Sequence, residues 1–571
     1  MTRTTHIAVL AFPFGSHAAA LLNLTQRLAA SAPLGVIFSF LSTPASIAKI
    51  FSKPTHGLIK PYDVWDGVFP VEASSKSPQQ LVEIFLEATP DNFYKIVKQA
   101  EADSGVKVSC ILADAFLWFA NDMAEVMGVP WLAFWAAGAT SFSAHVYTDL
   151  IRAHFSVADK EANVKILPGL SAIRVADLPE GVVCGDLESP LSKMLQDMGT
   201  KLAGATAVAI NSFEELEPAA TSDSKPILRN VLNVGPSTIT VPPLSNSDDT
   251  SGCLEWLDTR ETGSVVYIGF GNVLVPPPSE IVALAEALAS SKRPFIWSLQ
   301  DTMRSLLPNG FSEKTSGHGK IVAWAPQLQV LGHPSVGAYV THCGFNSLVE
   351  SILCCVPLVA RPLLGDNMMN CRLVEEVWKI GMKVKDGKFT EGGTMEALDS
   401  IMFGDKGKEM RENVGILRSR LLETTSSDAK NINSMISQFL APQNAARSAL
   451  RMRPLVWDAK LARYAQWYAN QRRWDCALKH SNGAYGENIF WGSGNKWSPV
   501  EAAAAWVGEK KWYNYWSNSC GGGEECGHYT QIVWRQTRRV GCARVNCFGG
   551  RGVFMTCNYD PPGNYIGEKP Y

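Results

Sequence analysis

Two side chains in the first quarter of the chain are placed for proton transfer. His17 follows the apolar run Ile7 to Phe14, in Phe-Gly-Ser-His, and Asp114 closes the run Cys-Ile-Leu-Ala-Asp. Both sit where a strand would end, so a parallel sheet brings them to the same edge. A carboxylate that orients an imidazole makes a general base working near neutral pH. A loop histidine with a helix-capping aspartate is the purely structural alternative. A second set is sulfur. Cys476, Cys520, Cys526, Cys542, Cys547 and Cys557 are an even number in one short segment and predict three disulfides, with the pairing open. Cys110, Cys184, Cys253, Cys343, Cys354, Cys355 and Cys371 are scattered singly or sit in apolar runs, as buried reduced thiols do. The two sets imply different redox compartments.

The elements that must position His17 and Asp114 follow from hydrophobic patterning. His6 to Phe14, Gly35 to Leu41, Cys110 to Phe116 and Pro130 to Trp135 predict buried strands with helices between them. The cycle restarts at Ser264 to Phe270, Arg293 to Leu299, Lys320 to Trp324 and Val336 to Thr341, after a Pro-, Ser- and Thr-rich stretch, Pro236 to Thr250. This alternation means parallel sheets covered on both faces. It predicts two doubly wound α/β domains, over residues 1–235 and 236–440. Such sheets bind ligands beyond the carboxyl ends of their strands, so two facing domains make a cleft for a nucleotide and a second substrate. No G-x-G-x-x-G follows a strand and no G-x-x-x-x-G-K-[ST] loop occurs, which disfavours a dinucleotide dehydrogenase and a P-loop ATPase.

The whole chain, 571 residues with 46% hydrophobic and 19% charged, has globular composition and more length than one core serves. Its net charge of -2 hides an asymmetry: Lys+Arg against Asp+Glu is 35 against 45 before residue 441 and 17 against 9 after it. Nine of the 17 Trp fall in that basic tail. A third domain over 441–571, with a boundary near Pro442, is therefore expected. No apolar run approaches the roughly 20 residues of a membrane-spanning helix, so a soluble protein is expected. Arg3, the run Ile7 to Phe14 and Ala18 to Ala20 superficially match a signal peptide. A first strand, a tight loop at Pro13 and Gly15, and an amphipathic helix explain the segment better.

Residues 324 to 367 carry Trp-Ala-Pro-Gln at Trp324 to Gln327, Thr-His-Cys-Gly-Phe-Asn-Ser at Thr341 to Ser347, Glu350, and Gly-Asp-Asn at Gly365 to Asn367. This resembles the donor-binding box of plant UDP-sugar glycosyltransferases. Ala-Phe-Pro-Phe-Gly-Ser-His, Ala-Asp-Ala-Phe-Leu-Trp-Phe-Ala, His-Val-Tyr-Thr-Asp-Leu-Ile-Arg and Leu-Pro-Glu-Gly-Val extend the likeness over residues 6 to 440, towards flavonoid and anthocyanidin 3-O-glucosyltransferases. The resemblance implies the two-domain GT-B fold, a monomer in the cytoplasm, a UDP-sugar co-substrate, a flavonoid-type acceptor, and no cofactor, metal or nucleic acid. Trp324 offers a face for uracil, and the turn into the helix at Phe345, Asn346 and Ser347 has free N–H groups for a diphosphate, with His342 adding a donor. By the same likeness Ala325 reads uracil through its backbone, Gln327 and Glu350 hold the ribose, and Asp366 with Asn367 bonds the sugar. His145 matches a position lining the flavonoid pocket; a buried helix histidine is the alternative. The implied mechanism is inverting displacement, with His17 as base and Asp114 stabilising its imidazolium.

The chain also departs from that pattern. Phe345 stands for the usual Trp and loses an indole donor. Asn367 stands for Gln and is one methylene shorter. Cys354-Cys355 replaces Gly-Gly, Ala136 replaces a Thr or Ser near the sugar, and Asn272 replaces the Ser or Thr of a phosphate-contacting turn.

The tail carries Gln443-Asn444-Ala445-Ala446-Arg447-Ser448, Tyr485-Gly486-Glu487-Asn488, Cys526-Gly527-His528-Tyr529-Thr530-Gln531, Trp534-Arg535 and Cys557-Asn558-Tyr559-Asp560. It resembles the pathogenesis-related class 1 proteins, CAP-superfamily αβα sandwiches that are normally extracellular. The likeness pairs Cys476 with Cys547, Cys520 with Cys526 and Cys542 with Cys557. It marks His480, Glu487, Glu509 and His528 as cavity residues, a set that could bind a divalent metal such as zinc or form a hydrogen-bonded structural cavity. It also implies a sterol partner and a C-terminal defence peptide, Pro561 to Tyr571. Two functions stand open on sequence: a flavonoid 3-O-glucosyltransferase with an appended CAP domain, or a degraded transferase whose operative part is the CAP module.

Overall fold

The structure is a computed structural model that describes all residues except 1–3, 33–34, 53–54, 69–75, 77, 236–248, 272–274 and 548–549, and gives no side-chain surroundings for 78–79 and 423–434. Asn272 and most of the expected linker 236–250 lie outside the described residues. Contacts divide the chain into two compact units, the first made of Met1–Ala30 and Gly35–Leu422, the second chiefly of Glu423–Tyr571.

The first unit holds two parallel sheets. One comprises β1 (Thr5–Leu10), β2 (Val36–Ser42), β3 (Ile59–Asp63), β4 (Val108–Asp114), β5 (Trp131–Trp135), β6 (Ala207–Ile210) and β7 (Val231–Asn233), in the order β3-β2-β1-β4-β5-β6-β7. The other comprises β8 (Val265–Gly269), β9 (Phe295–Ser298), β10 (Gly319–Val322), β11 (Val336–Thr341), β12 (Leu358–Ala360) and β13 (Gly381–Lys383), in the order β10-β9-β8-β11-β12-β13. Every strand pairing in both sheets is parallel. Helices cover the two faces, which is why β8 is buried at all five positions rather than alternating. Two doubly wound α/β halves were expected and are present.

The strand ends differ from expectation. β1 stops at Leu10 instead of reaching Phe14, because Pro13 has no N–H for a ladder and Gly15 takes a φ of 65°. β4 ends on Asp114 itself. No strand is predicted where β3, β6, β7, β12 and β13 lie; β3, five residues long with Pro61 in its middle, carries no apolar run, and the other four are shorter still. At three or four residues, β6, β7, β12 and β13 are too short for a periodicity to register.

Four helices of this unit position the site: α1 (His17–Ser31), α2 (Ala139–Val146), α3 (Phe345–Leu353) and α4 (Asn367–Arg372). A long helix, α5 (Asp405–Ala449), includes Pro442, so the expected boundary residue is helical.

The second unit is built on β14 (Val456–Trp457), β15 (Gly486–Gly492), β18 (Arg539–Asn546) and β19 (Val553–Asp560), in the order β14-β18-β19-β15, beside the small hairpin β16 (Tyr513–Asn514) and β17 (Ser519–Cys520). Along β19 alternate side chains enter different cores. Met555, Cys557 and Tyr559 join Trp506 of α7 (Pro499–Gly508) and Tyr529 and Ile532 of α8 (Gly527–Ile532). Phe554 joins Ala465 and Tyr468 of α6 (Ala459–Arg472), which lies between α5 and α7 in sequence. Helices therefore cover both faces, an αβα sandwich. Cys476–Cys547, Cys520–Cys526 and Cys542–Cys557 are disulfides, and the last joins direct register partners of β18 and β19. The other seven cysteines are free thiols.

Candidate active site

Strand order reverses between β1 and β4 in the first sheet and between β8 and β11 in the second. Open α/β sheets form their ligand crevices at these switch points. His17 opens α1 after β1, and Asp114 ends β4. Likewise Phe270 and Gly271 follow β8, and His342 to Ser347 follow β11.

His17 Nδ1 lies 2.8 Å from Asp114 Oδ2, and the other oxygen of this fully buried carboxylate accepts the N–H of Phe116 at 3.0 Å. An ionised carboxylate only accepts, so Nδ1 carries the proton and Nε2 keeps its lone pair. The rings of Phe12 and Phe116 pack on the imidazole, with centroids 5.3 and 4.6 Å away. Burial is the largest single influence on His17 and lowers its pKa. Asp114, with help from Asp366, more than offsets it, and the net pKa is raised.

On the facing side, Trp324 is 51% exposed, an open ring face beside the buried Ala325. Gln327 is held from two directions. Its Nε2 donates to Glu350 Oε2 at 2.7 Å and to Ser347 Oγ at 3.1 Å. Its Oε1 accepts from Tyr339 Oη at 2.9 Å and Tyr267 Oη at 3.3 Å. Burial raises the pKa of Glu350, and the Gln327 bond opposes the shift.

Burial pushes His342 down to about 4, so its ring is neutral near pH 7. Among the described residues its buried Nδ1 has no hydrogen-bond partner. Gly271, at φ 74°, makes room for this ring, since a Cβ there would stand 3.0 Å from His342 Cε1. The N-cap of α3 is Gly344, whose lack of a side chain leaves the first-turn N–H groups without a side-chain cap. At α4, Asp366 accepts from Asn367 Nδ2 at 3.2 Å and from Asn370 Nδ2 at 3.0 Å. Burial raises the pKa of Asp366, against Asn370 and His17.

A cavity of about 490 Å³ is lined by His17 and by all of Trp324, Ala325, Gln327, His342, Phe345, Asn346, Ser347, Glu350, Asp366 and Asn367. Asp114 stands behind His17. His145 is not in the lining: it is buried in α2 against Trp135, at 5.4 Å between centroids, and burial lowers its pKa to about 4. Sequence reasoning missed Tyr267 and Tyr339, whose stacked rings, 5.1 Å apart, carry the hydroxyls that aim Gln327. It also missed Ser16, Asn211 and Glu217. Ser16 sits inside Phe-Gly-Ser-His, where only His17 stands out chemically, while Asn211 and Glu217 lie in no motif with chemical spacing and reach Asn346 and the start of α2 only through the fold.

In the second unit the four expected cavity residues form two His–Glu pairs. His480 Nδ1 is 2.8 Å from Glu487 Oε1, and His528 Nδ1 is 2.6 Å from Glu509 Oε1. Glu487 also accepts from Ser481 N at 2.8 Å and Asn558 Nδ2 at 3.2 Å, and Glu509 from His528 N at 3.0 Å. The bond to Glu487 raises the pKa of His480. Burial opposes ionisation of Glu487, but its hydrogen bonds, led by His480, hold its pKa low. Among the described residues, no group of three or more His, Cys, Asp or Glu is placed to hold a metal ion, and no helix is long and apolar enough to cross a membrane.

Comparison with known proteins adds to this geometry. A family model described as UDP-glucoronosyl and UDP-glucosyl transferase matches residues 15–421, and one described as cysteine-rich secretory protein family (CAP) matches residues 440–559. The chain is 50% identical over 455 residues to an anthocyanidin 3-O-glucosyltransferase of Gentiana triflora, covering 77% of this chain and 99% of that protein. It is 48% identical over 453 residues to an anthocyanidin 3-O-galactosyltransferase of Rhododendron delavayi, covering 76% and 97%. A crystal structure of a UDP-glucose: anthocyanidin 3-O-glucosyltransferase in complex with UDP matches with a TM-score of 0.70 at 38% identity, over 74% of this chain and 95% of that one.

Proposed function

Because the chain belongs to the UDP-glucoronosyl and UDP-glucosyl transferase family and carries a CAP domain after it, we propose that it transfers glucose from UDP-glucose to the 3-hydroxyl of a flavonol or anthocyanidin, with inversion. Residues 1–235 take the acceptor, 236–440 the UDP-sugar, and 441–571 form the appended CAP module. The observation that carries this reading is the meeting of His17 with the whole donor set in one cavity.

The step needs only this chain's residues and the two substrates. Nε2 of His17 takes the acceptor hydroxyl proton while the hydroxyl oxygen forms its bond to the anomeric carbon. The bond from that carbon to the UDP oxygen breaks, and UDP leaves with the electron pair. Asp114 stabilises the imidazolium that results, and general-base assistance of this kind is typically worth about 10²- to 10⁴-fold. Trp324 stacks uracil, Gln327 and Glu350 hold the ribose, and the N-terminus of α3 with His342 takes the diphosphate. Asp366 and Asn367 bind the sugar hydroxyls.

The test is UDP release from purified protein with a flavonol acceptor, run in parallel with UDP-glucose and UDP-galactose. The expected product is the 3-O-glucoside. Faster turnover with UDP-galactose would replace the donor assignment, and folded protein without turnover on either would leave the CAP module as the operative part.

A further inference from the structure

We propose that Asn211 is a positioning residue for transfer, holding Asn346 at the diphosphate end of the cavity in register with Ser16, the residue before the base. This rests on the reading of the cavity as the transfer site and of His17 as the base.

Asn211 immediately follows β6, and its backbone N–H donates to Trp135 O at 2.9 Å. Its side-chain Nδ2 donates to Ala136 O at 3.1 Å and to Asn346 Oδ1 at 3.0 Å. The first bond settles the orientation of the amide, because a carbonyl can only accept. Asn211 therefore presents N–H to Asn346 as well, and Asn346 must answer with its oxygen. That in turn directs Nδ2 of Asn346 away from Asn211 and onto Ser16 Oγ, 3.0 Å away. Ser16 immediately precedes α1, its carbonyl accepting the N–H of Ala20 at 3.0 Å, and His17 is the next residue.

Three side chains remote in sequence thus link the residue after β6, the first turn of α3 and the residue before α1. The amide of Asn346 is not exhausted by these two bonds. A second N–H and a second lone pair remain, so Asn346 can meet a diphosphate oxygen while still held on both sides. Terminal amide torsions have broad wells, and without Asn211 nothing in this chain of bonds dictates which end of Asn346 faces Ser16. A misplacement of the reacting groups by an ångström is costly to rate even when binding survives.

A merely structural Asn211, satisfying the Ala136 carbonyl, predicts lost stability and no coupling to Ser16. The experiment is a double-mutant cycle on the full chain with Asn211→Ala, Ser16→Ala and both, reading kcat and KM for UDP-glucose at saturating flavonol, UDP affinity by calorimetry, and Tm. Each single variant is expected to lose about tenfold in kcat with UDP affinity little changed, and the double variant to lose no more than the worse single, because both act through Asn346. Ser16→Thr, which keeps the hydroxyl, should restore kcat, and this arm decides the matter if Asn211→Ala does not fold. Additive losses, a Thr variant no better than Ala, or a lowered Tm with unchanged kcat would each overturn the assignment. Wild-type protein without transfer would instead overturn the transfer reading, and this assignment with it.

Discussion

Phe345, at the start of α3, rests on Gly138, the N-cap of α2, so closely that a Cβ at 138 would stand 2.5 Å from Phe345 Cε2 and 2.8 Å from both oxygens of Glu217. The φ of Gly138 is -76°, so what the glycine supplies is space and not conformational freedom. Neither neighbour can easily give way. Phe345 is buried, and Glu217 is fixed by the N–H groups of Ala139 and Thr140 at 2.8 and 2.9 Å and by Ser212 Oγ at 2.7 Å. Gly138→Ala should therefore cost about 1–3 kcal/mol by overpacking, read as a lower Tm, with a raised KM for UDP-sugar as Phe345 is displaced. A variant with wild-type Tm and KM would mean the contact is easily relaxed.

The raised pKa of His17 sets the direction of a pH effect. The base acts only when neutral, so kcat/KM should fall as pH drops through a pKa that Asp114 holds above the ordinary histidine value. Asp114→Asn removes the main influence raising that pKa and leaves burial, which lowers it. The acidic limb should then move to lower pH while the maximal rate drops. His17→Ala should abolish transfer yet leave UDP binding by calorimetry near wild type, since the residues proposed to hold UDP follow the strands of the other sheet. A limb that stays put in Asp114→Asn would assign the titration to another group.

How much of this is legible in the sequence alone depends on whether a residue's role is local. The grouping of the candidate donor residues is legible because they follow β10 and β11, lie in α3 or enter α4, so short motifs carry them. His17 and Asp114 are legible because each directly follows or ends a strongly apolar strand. Tyr267 and Tyr339 are not, because a tyrosine inside a buried strand looks like core, and only pairing of β8 with β11 in register sets the two side by side. Asn211 and Glu217 stay hidden for the same reason: the four-residue β6 before them gives no periodic signal, and their partners are far away in sequence. His145 shows the converse. Its motif matches, while the fold buries the ring against Trp135, outside the cavity that His17 lines.

Asn367 is nearly buried, with Nδ2 on Asp366 and Oδ1 accepting weakly from Leu364 N at 3.4 Å. One more methylene would carry the amide towards the cavity it lines. Asn367→Gln is therefore expected to raise kcat/KM for UDP-glucose several-fold, with UDP affinity unchanged because the residues proposed to contact the nucleotide lie elsewhere. Side-by-side kinetics with UDP-glucose and UDP-galactose check this. An unchanged or lower glucose rate would show that reach at this position is not limiting.

Redox state should separate the two units. Cys476–Cys547, Cys520–Cys526 and Cys542–Cys557 all lie in the second, and the seven thiols of the first include none placed in a disulfide. Removing a native disulfide from a small domain typically costs about 2–5 kcal/mol, and glutathione and thioredoxin keep cytosolic thiols reduced. Protein made in a reducing cytosol should thus titrate close to 13 thiols after denaturation, and oxidised protein close to the seven free cysteines. In the reduced form limited proteolysis should trim residues 441–571 while UDP binding survives, because every residue lining the candidate donor site lies in the first unit. Seven thiols and a protease-resistant tail in protein from a reducing cytosol would contradict this, and would require either that the bridges form there or that the sandwich holds through Trp506, Tyr529, Met555 and Tyr559 without them.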